Sequence, residues 1–463
     1  MLMQIPNLPT LRKTLYSIIV FLAATLSLWW WASSIPVKQS EWTCRGEGRQ
    51  QICEFINFCI NRHDGPFIIS DREPPSVNLI NADQDSDIWF KPKVVSGYRN
   101  PQFVDETLFV YGLYSPFHFS HFLYNGLMPL YSIMKEFSAA QSAWTLRGAT
   151  FWNQHTKPEM DLPTEHDLVL EKEDAQTGKQ TVAPKNTMCF SKAVVGTGNR
   201  CSLWYCDGQI PAAHYQSFKE FVLSKPANSQ CTSTVYKTTG SLHVGILNRG
   251  KTRHITNLPE VIEGLSKLDV SIQTIDFDAG CDLQSTAHLV KDLDVLIAPF
   301  GNGLGAGLFM KSNSIVISIA SRWYNEDWFK WPMTAIGRRM YNFECNSPKC
   351  QEYDQELLDE LLANHNVELN ALERQQLMTQ QNPVQVLSKY IPGEEWKVIE
   401  QYHKDVPRRI DMELFTPFLT DLLDSGNNSS YVELCRNNQC CNHDCTGPLD
   451  RNVFGSKSAW NLE

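Results

Sequence analysis

The chain has 463 residues, 14 of them cysteine, and a formal net charge of −10. Single cores rarely grow past about 250–300 residues, so the length predicts two packed domains with appendages. The acidic balance and the lack of a basic block exclude nucleic acid as the main partner, and this cysteine usage suits an oxidising compartment where disulfides persist.

In chain order, residues 15–35 are apolar and uncharged, about 20 residues, which is enough to span a bilayer. Arg12 and Lys13 precede them, so residues 1–14 are expected in the cytosol. Trp29, Trp30 and Trp31 stand at the far interface in place of a small-residue cleavage site, which favours an uncleaved anchor over a signal peptide. The expectation is a single-pass type II protein of the Golgi or endoplasmic reticulum, luminal after Val37. Residues 36–87 carry Cys44, Cys53 and Cys59 with little periodicity and read as a stem leading into a first domain. That domain, 88–235, mixes short apolar runs with a helical pattern over 119–137 and an exposed polar loop over 171–185.

A second domain is expected over 236–410. Apolar runs at 242–247, 270–276, 295–298 and 315–319 read as strands, with helices over 258–268 and 284–293 between them. This alternation implies a parallel sheet with right-handed crossovers. Residues 353–381 are helical and charged. The tail, 411–463, holds Cys435, Cys440, Cys441 and Cys445 with His443, whose spacing fits no standard zinc pattern, so disulfides are expected there. Asn427 and Asn428 each begin an N-x-S sequon, consistent with an exposed luminal loop.

Three segments carry candidate chemistry. After the 295–298 run, Gly301, Gly303, Gly305 and Gly307 form a turn whose backbone N–H groups can approach an anion, with a helix start behind it. After the 242–247 run come Arg249, Lys251, Arg253 and His254, then Asn257 and Glu260 in a capping-box arrangement. Arginine matches phosphate oxygens as a planar fork, so Arg249 and Arg253 are the better diphosphate candidates; a solvated basic loop is the plain reading. His118, at the start of the 119–137 helical pattern, falls on one stripe with His121 and Asn125 at i+3 and i+7, suited to binding, base catalysis or a purely structural role. Asp276 and Asp278 have the Asp-x-Asp spacing that can hold a divalent cation, or simply mark a solvent-exposed strand end. Neither a Walker loop nor Gly-x-Ser-x-Gly is present.

The order HFSHFLYNGLMPLY, ILNRGKTRHITN, DVLIAPFGNGLGAGLFM resembles glycosyltransferase family 61 over roughly residues 95–320. The resemblance implies an α/β, GT-B-like architecture of two Rossmann-like domains facing a cleft, beyond the N-terminal transmembrane anchor. It implies inverting transfer of GlcNAc or xylose from a UDP-sugar to a glycan or glycoprotein hydroxyl, with no required cofactor. By position, His121 matches the family's first-domain histidine, with His118 and Asn125 standing as substitutions beside it. These histidines would serve catalysis. Arg249 and Arg253, with Asn257, match the second-domain arginine motif. Gly301, Asn302, Gly303 and Leu304 match the glycine turn, and all seven would bind the nucleotide sugar. Phe300 replaces the family's histidine, and Ser318 stands where an acidic residue is usual. The competing reading is a luminal binding or scaffold protein that keeps the fold without turnover.

Overall fold

The computed structural model describes residues 38–424, apart from 62–64, 82–86, 97–100, 115–117, 138–186, 201–209, 228–230, 251, 277–280, 321–328, 330–331, 334–335, 345–352 and 379–382. The expected anchor, the sequons, the tail cysteines, Lys251 and Asp278 lie outside the described residues. No helix among the described residues is long and apolar enough to cross a membrane.

Residues 41–69, expected as stem, instead form strands β1 (Glu41–Arg45), β2 (Ile52–Asn61) and β3 (Gly65–Ile69). They join β4 (Lys93–Val95), β5 (Gln102–Val110) and β6 (Met188–Val195) in one sheet of order β4-β3-β2-β6-β5, with β1 also on β2. This sheet is mixed. β2 runs antiparallel to β1, β3 and β6, while β3–β4 and β5–β6 are parallel. Short connections between β1, β2 and β3 impose hairpins, which a Rossmann-like parallel sheet does not contain. Cys44–Cys53 and Cys59–Cys189 bridge facing positions, the second tying β2 to β6 across 130 residues.

Helix α1 consists of consecutive segments Phe119–His121, Phe122–Leu127 and Met128–Glu136. Its middle widens to i→i+5 bonding, with Met128 N–H donating to Leu123 O. Of residues 119–134, only His121 is not buried. The helix is enclosed because it packs on both sheets: Ile133 meets Ile52 and Val194 of the first, while Phe119, Leu123 and Met128 join the core of the second. Helix α2 (Ala212–Leu223) packs beside it.

The second sheet contains β7 (Ser233–Lys237), β8 (Leu242–Asn248), β9 (Val270–Asp276), β10 (Val295–Pro299), β11 (Ile315–Ala320) and β12 (Arg339–Glu344). Its order is β12-β11-β10-β8-β9-β7, parallel except for β7 on β9. Runs such as VLIAP and IVISIA are buried at every position, as expected of strands covered on both faces. One face packs on α3 (Leu258–Ser266) and on the C-terminal helix Met412–Asp424. The other packs on α4 (Leu283–Val290), the 3-10 helix Asn302–Phe309, α1 and α2. β8 lies between β9 and β10, so the chain winds one way to β9 and the other way to β10. Open α/β sheets bind ligands at such a reversal, beyond the strands' carboxyl ends. The charged stretch expected as one helix over 353–381 is two, Gln355–Asn364 and Ala371–Met378, interrupted where Asn366 adopts φ +54°.

Candidate active site

The loops leaving β8 and β10 meet at this reversal. Gly301 follows β10 with φ +129° and ψ −158°, a conformation essentially confined to glycine. A Cβ placed there would lie 2.5 Å from Arg253 Nη1 and 3.5 Å from Arg249 Nη1. The two arginines read from the sequence as diphosphate candidates therefore converge on the glycine turn. Arg253 Nη1 also reaches Phe300 O at 3.5 Å.

Arg253 is held from outside its own loop. Asp405 Oδ1 accepts from Nε at 2.8 Å and from Nη2 at 2.8 Å, and Asp405 O accepts from the Arg253 backbone N–H at 3.1 Å. Asp405 ends the helix Glu395–Asp405. Those bonds hold Arg253 at φ +59°, a left-handed conformation unfavourable for a side-chain-bearing residue. The fork is thus gripped along one edge while Nη1 is directed at the turn. With two guanidiniums and one carboxylate, these three groups carry a net positive charge.

Neighbouring residues continue the attachment: Thr256 N–H donates to Arg408 O, and Arg408 N–H to His254 O. Asn257 belongs to this stitching. Its Nδ2 donates to Ile410 O at 2.8 Å and its Oδ1 accepts from Ile410 N–H at 3.0 Å. Buried and engaged at both ends, it makes no side-chain cap to α3, contrary to the capping box, although Nδ2 also reaches Glu260 at 3.0 Å. Leu304 differs from its expected place too: its side chain is wholly buried in the core and its N–H donates to Gly301 O. Gly303 lies where a Cβ would meet Leu247 at 2.8 Å, so it serves close packing of the turn on β8. Asn302 is half-buried, and its carbonyl accepts from Ser120 Oγ at 3.0 Å.

That last bond brings in α1. Tyr124 OH donates to Gly305 O at 3.0 Å, and burial holds its phenol far above the usual range, so it stays a neutral donor. Ser120, Tyr124 and Phe119 all approach Gly305, which seats the start of α1 on the glycine turn. His118 caps this start and is exposed; His121 is half-buried one turn on, the rings 5.8 Å apart. Tyr114 packs edge-on against His121 at 5.0 Å. His121 Nδ1 lies 3.1 Å from Asn125 Oδ1.

Phe300 turns into the core against Phe329. Ser318, in register with Ala298 and Asn342, is fully buried, and its hydroxyl meets no hydrogen-bond partner among the described residues. Asp276 is exposed at the end of β9. No group of three His, Cys, Asp or Glu side chains suited to a metal occurs among the described residues. Sequence reasoning missed Asp405, Ser120 and Tyr124. Asp405 touches the site only through a contact spanning 152 positions, which no local pattern announces.

The Glycosyltransferase 61 family profile matches residues 119–317, which span α1 to β11 and include every candidate side chain except His118. The beta-1,2-xylosyltransferase XAX1 of Oryza sativa subsp. japonica is 35% identical over 83 residues, 18% of this chain and 14% of that protein. The chain therefore aligns with only a small part of that relative.

Proposed function

We propose that the chain moves a sugar from a UDP-sugar to a glycan or glycoprotein hydroxyl, with inversion, a reading supported by the Glycosyltransferase 61 profile's match to residues 119–317. The observation that carries this reading is the convergence of Arg249 and Arg253 on Gly301 at the sheet's reversal, beside the start of α1. A departing diphosphate gathers negative charge, and preorganised cations aimed at that charge lower the barrier. At the start of α1, His121 is the base that takes the acceptor proton, with His118 beside it orienting the acceptor. The two guanidiniums supply positive charge, so this reading requires no divalent cation.

The name of the rice relative supports testing UDP-xylose first, with UDP-GlcNAc as the next donor. Disulfides such as Cys59–Cys189 support a luminal setting, and residues 15–35 would tether the chain to Golgi or endoplasmic reticulum membranes. One observation favours a second reading, a luminal binding protein without turnover. Phe300 and Ser318 put an apolar ring, and a hydroxyl with no hydrogen-bond partner among the described residues, where the family carries ionisable groups. UDP release by the full chain, measured with each donor and a panel of glycan acceptors, separates the two. Release that depends on acceptor supports transfer; nucleotide binding without release supports the second reading.

A further inference from the structure

We propose that Asn125 is a positioning residue that fixes the tautomer of His121, leaving the proton on Nδ1 and the lone pair on Nε2. Asn125 is completely buried one turn beyond His121. Its Nδ2 lies 2.6 Å from Asn81 O, and a backbone carbonyl only accepts, so this end of the amide is the donor. Flipping the amide would set two oxygens against each other at that distance, so the network decides the assignment. Oδ1 is then the atom 3.1 Å from His121 Nδ1. An amide oxygen also only accepts, and Nδ1 must carry the hydrogen.

The amide is held on its far side too. Asn81 Nδ2 donates to Asn125 O at 2.9 Å, so the two asparagines clasp each other by side chain and backbone. Asn81 is itself fully buried. The clasp lies in the widened i→i+5 stretch of α1, and Gly126 lets Leu113 approach that stretch to within what would be 2.7 Å of a Cβ. Single turns of this kind inside α-helices recur at functional sites.

The consequence rests on the transfer reading above. The acceptor oxygen forms its bond to the sugar's anomeric carbon while the carbon–phosphate oxygen bond breaks, its electron pair leaving with UDP. The acceptor proton goes to His121 Nε2. The resulting imidazolium keeps its Nδ1–H on a neutral amide, which orients the ring without taking up a proton or adding negative charge. A Nε2–H imidazole in the same place would present a donor to the acceptor and could not serve as base.

The test uses full-length protein with 15N-labelled histidine, the His121 resonances being assigned by their loss in His121→Gln. The neutral wild-type ring is expected to show a protonated Nδ1 and an unprotonated Nε2. Asn125→Leu should release the ring toward the Nε2–H form and lower kcat roughly 10–100-fold, with KM little changed. Asn125→Asp keeps an acceptor for Nδ1 but sets its second oxygen against Asn81 O, so it should hold the Nδ1–H form and more kcat than Asn125→Leu while folding less stably. A wild-type Nε2–H ring overturns the proposal, as does a folded Asn125→Leu variant with unchanged tautomer and kcat. Should Asn125→Leu not fold, the wild-type spectrum and Asn125→Asp decide alone. A wild type that holds the Nδ1–H ring yet transfers no sugar supports the tautomer and overturns the transfer reading instead.

Discussion

At the scale of single residues, Arg253 and Gly301 make the sharpest expectations. A charge-assisted contact contributes roughly 1.5–3 kcal/mol, so Arg253→Ala should weaken UDP binding by about 10–150-fold in calorimetry. On the transfer reading, in which His121 serves the acceptor, His121→Ala should leave UDP affinity nearly intact while transfer falls. Equal UDP binding by wild type and Arg253→Ala would reduce the basic loop to a solvated turn. Gly301→Ala meets two obstacles, the φ of +129° and the guanidinium 2.5 Å from the new Cβ. The strain costs on the order of 1–3 kcal/mol, and UDP binding should be lost more completely than overall stability. A Gly301→Ala protein that binds UDP normally would place the ligand elsewhere.

Among elements, β2 and β6 are joined by Cys59–Cys189, which closes a span of 130 residues. Loss of a disulfide over so long a loop costs roughly 2–5 kcal/mol, so the Cys59→Ala/Cys189→Ala pair should unfold at clearly lower denaturant. The C-terminal helices hold a different device. Glu373, buried, accepts from Tyr390 OH at 2.6 Å and Lys389 Nζ at 2.9 Å, and these bonds push its carboxyl from 4.5 down to about 2. Because the folded value is depressed, its stabilisation is complete above pH 4.5 and is lost as pH falls toward 2. The stability difference between wild type and Glu373→Gln should shrink across that window in acid titrations; a constant difference refutes the assignment. β10 and β11 were legible because strands covered on both faces read as nearly unbroken apolar text. β1 to β3 were not, since Glu54, Asn57 and Asn61 interrupt ICEFINFCIN and hide its pairing. The meeting of Arg249, Arg253 and Gly301 followed from strand ends alone. Leu304 and Asn257 sat in the same loops yet face the core and Ile410, because sequence position does not give side-chain direction.

For the molecule as a whole, residues 15–35 set the expected orientation. Protease added to sealed microsomes should spare most of the chain, with glycans at Asn427 or Asn428. Digestion of the large fragment, or secretion of a chain cleaved after residue 35, would contradict it. The stitching of residues 253–257 to 405–410 reaches further than affinity. A ribosome delivers the glycine turn and both arginines long before Asp405, so every strand of the second sheet is made while Arg253 still lacks its carboxylate. On the transfer reading, nucleotide binding would wait until synthesis has passed the helix Glu395–Asp405, and a chain released earlier would lack both that carboxylate and the helix Met412–Asp424 that covers one face of the sheet.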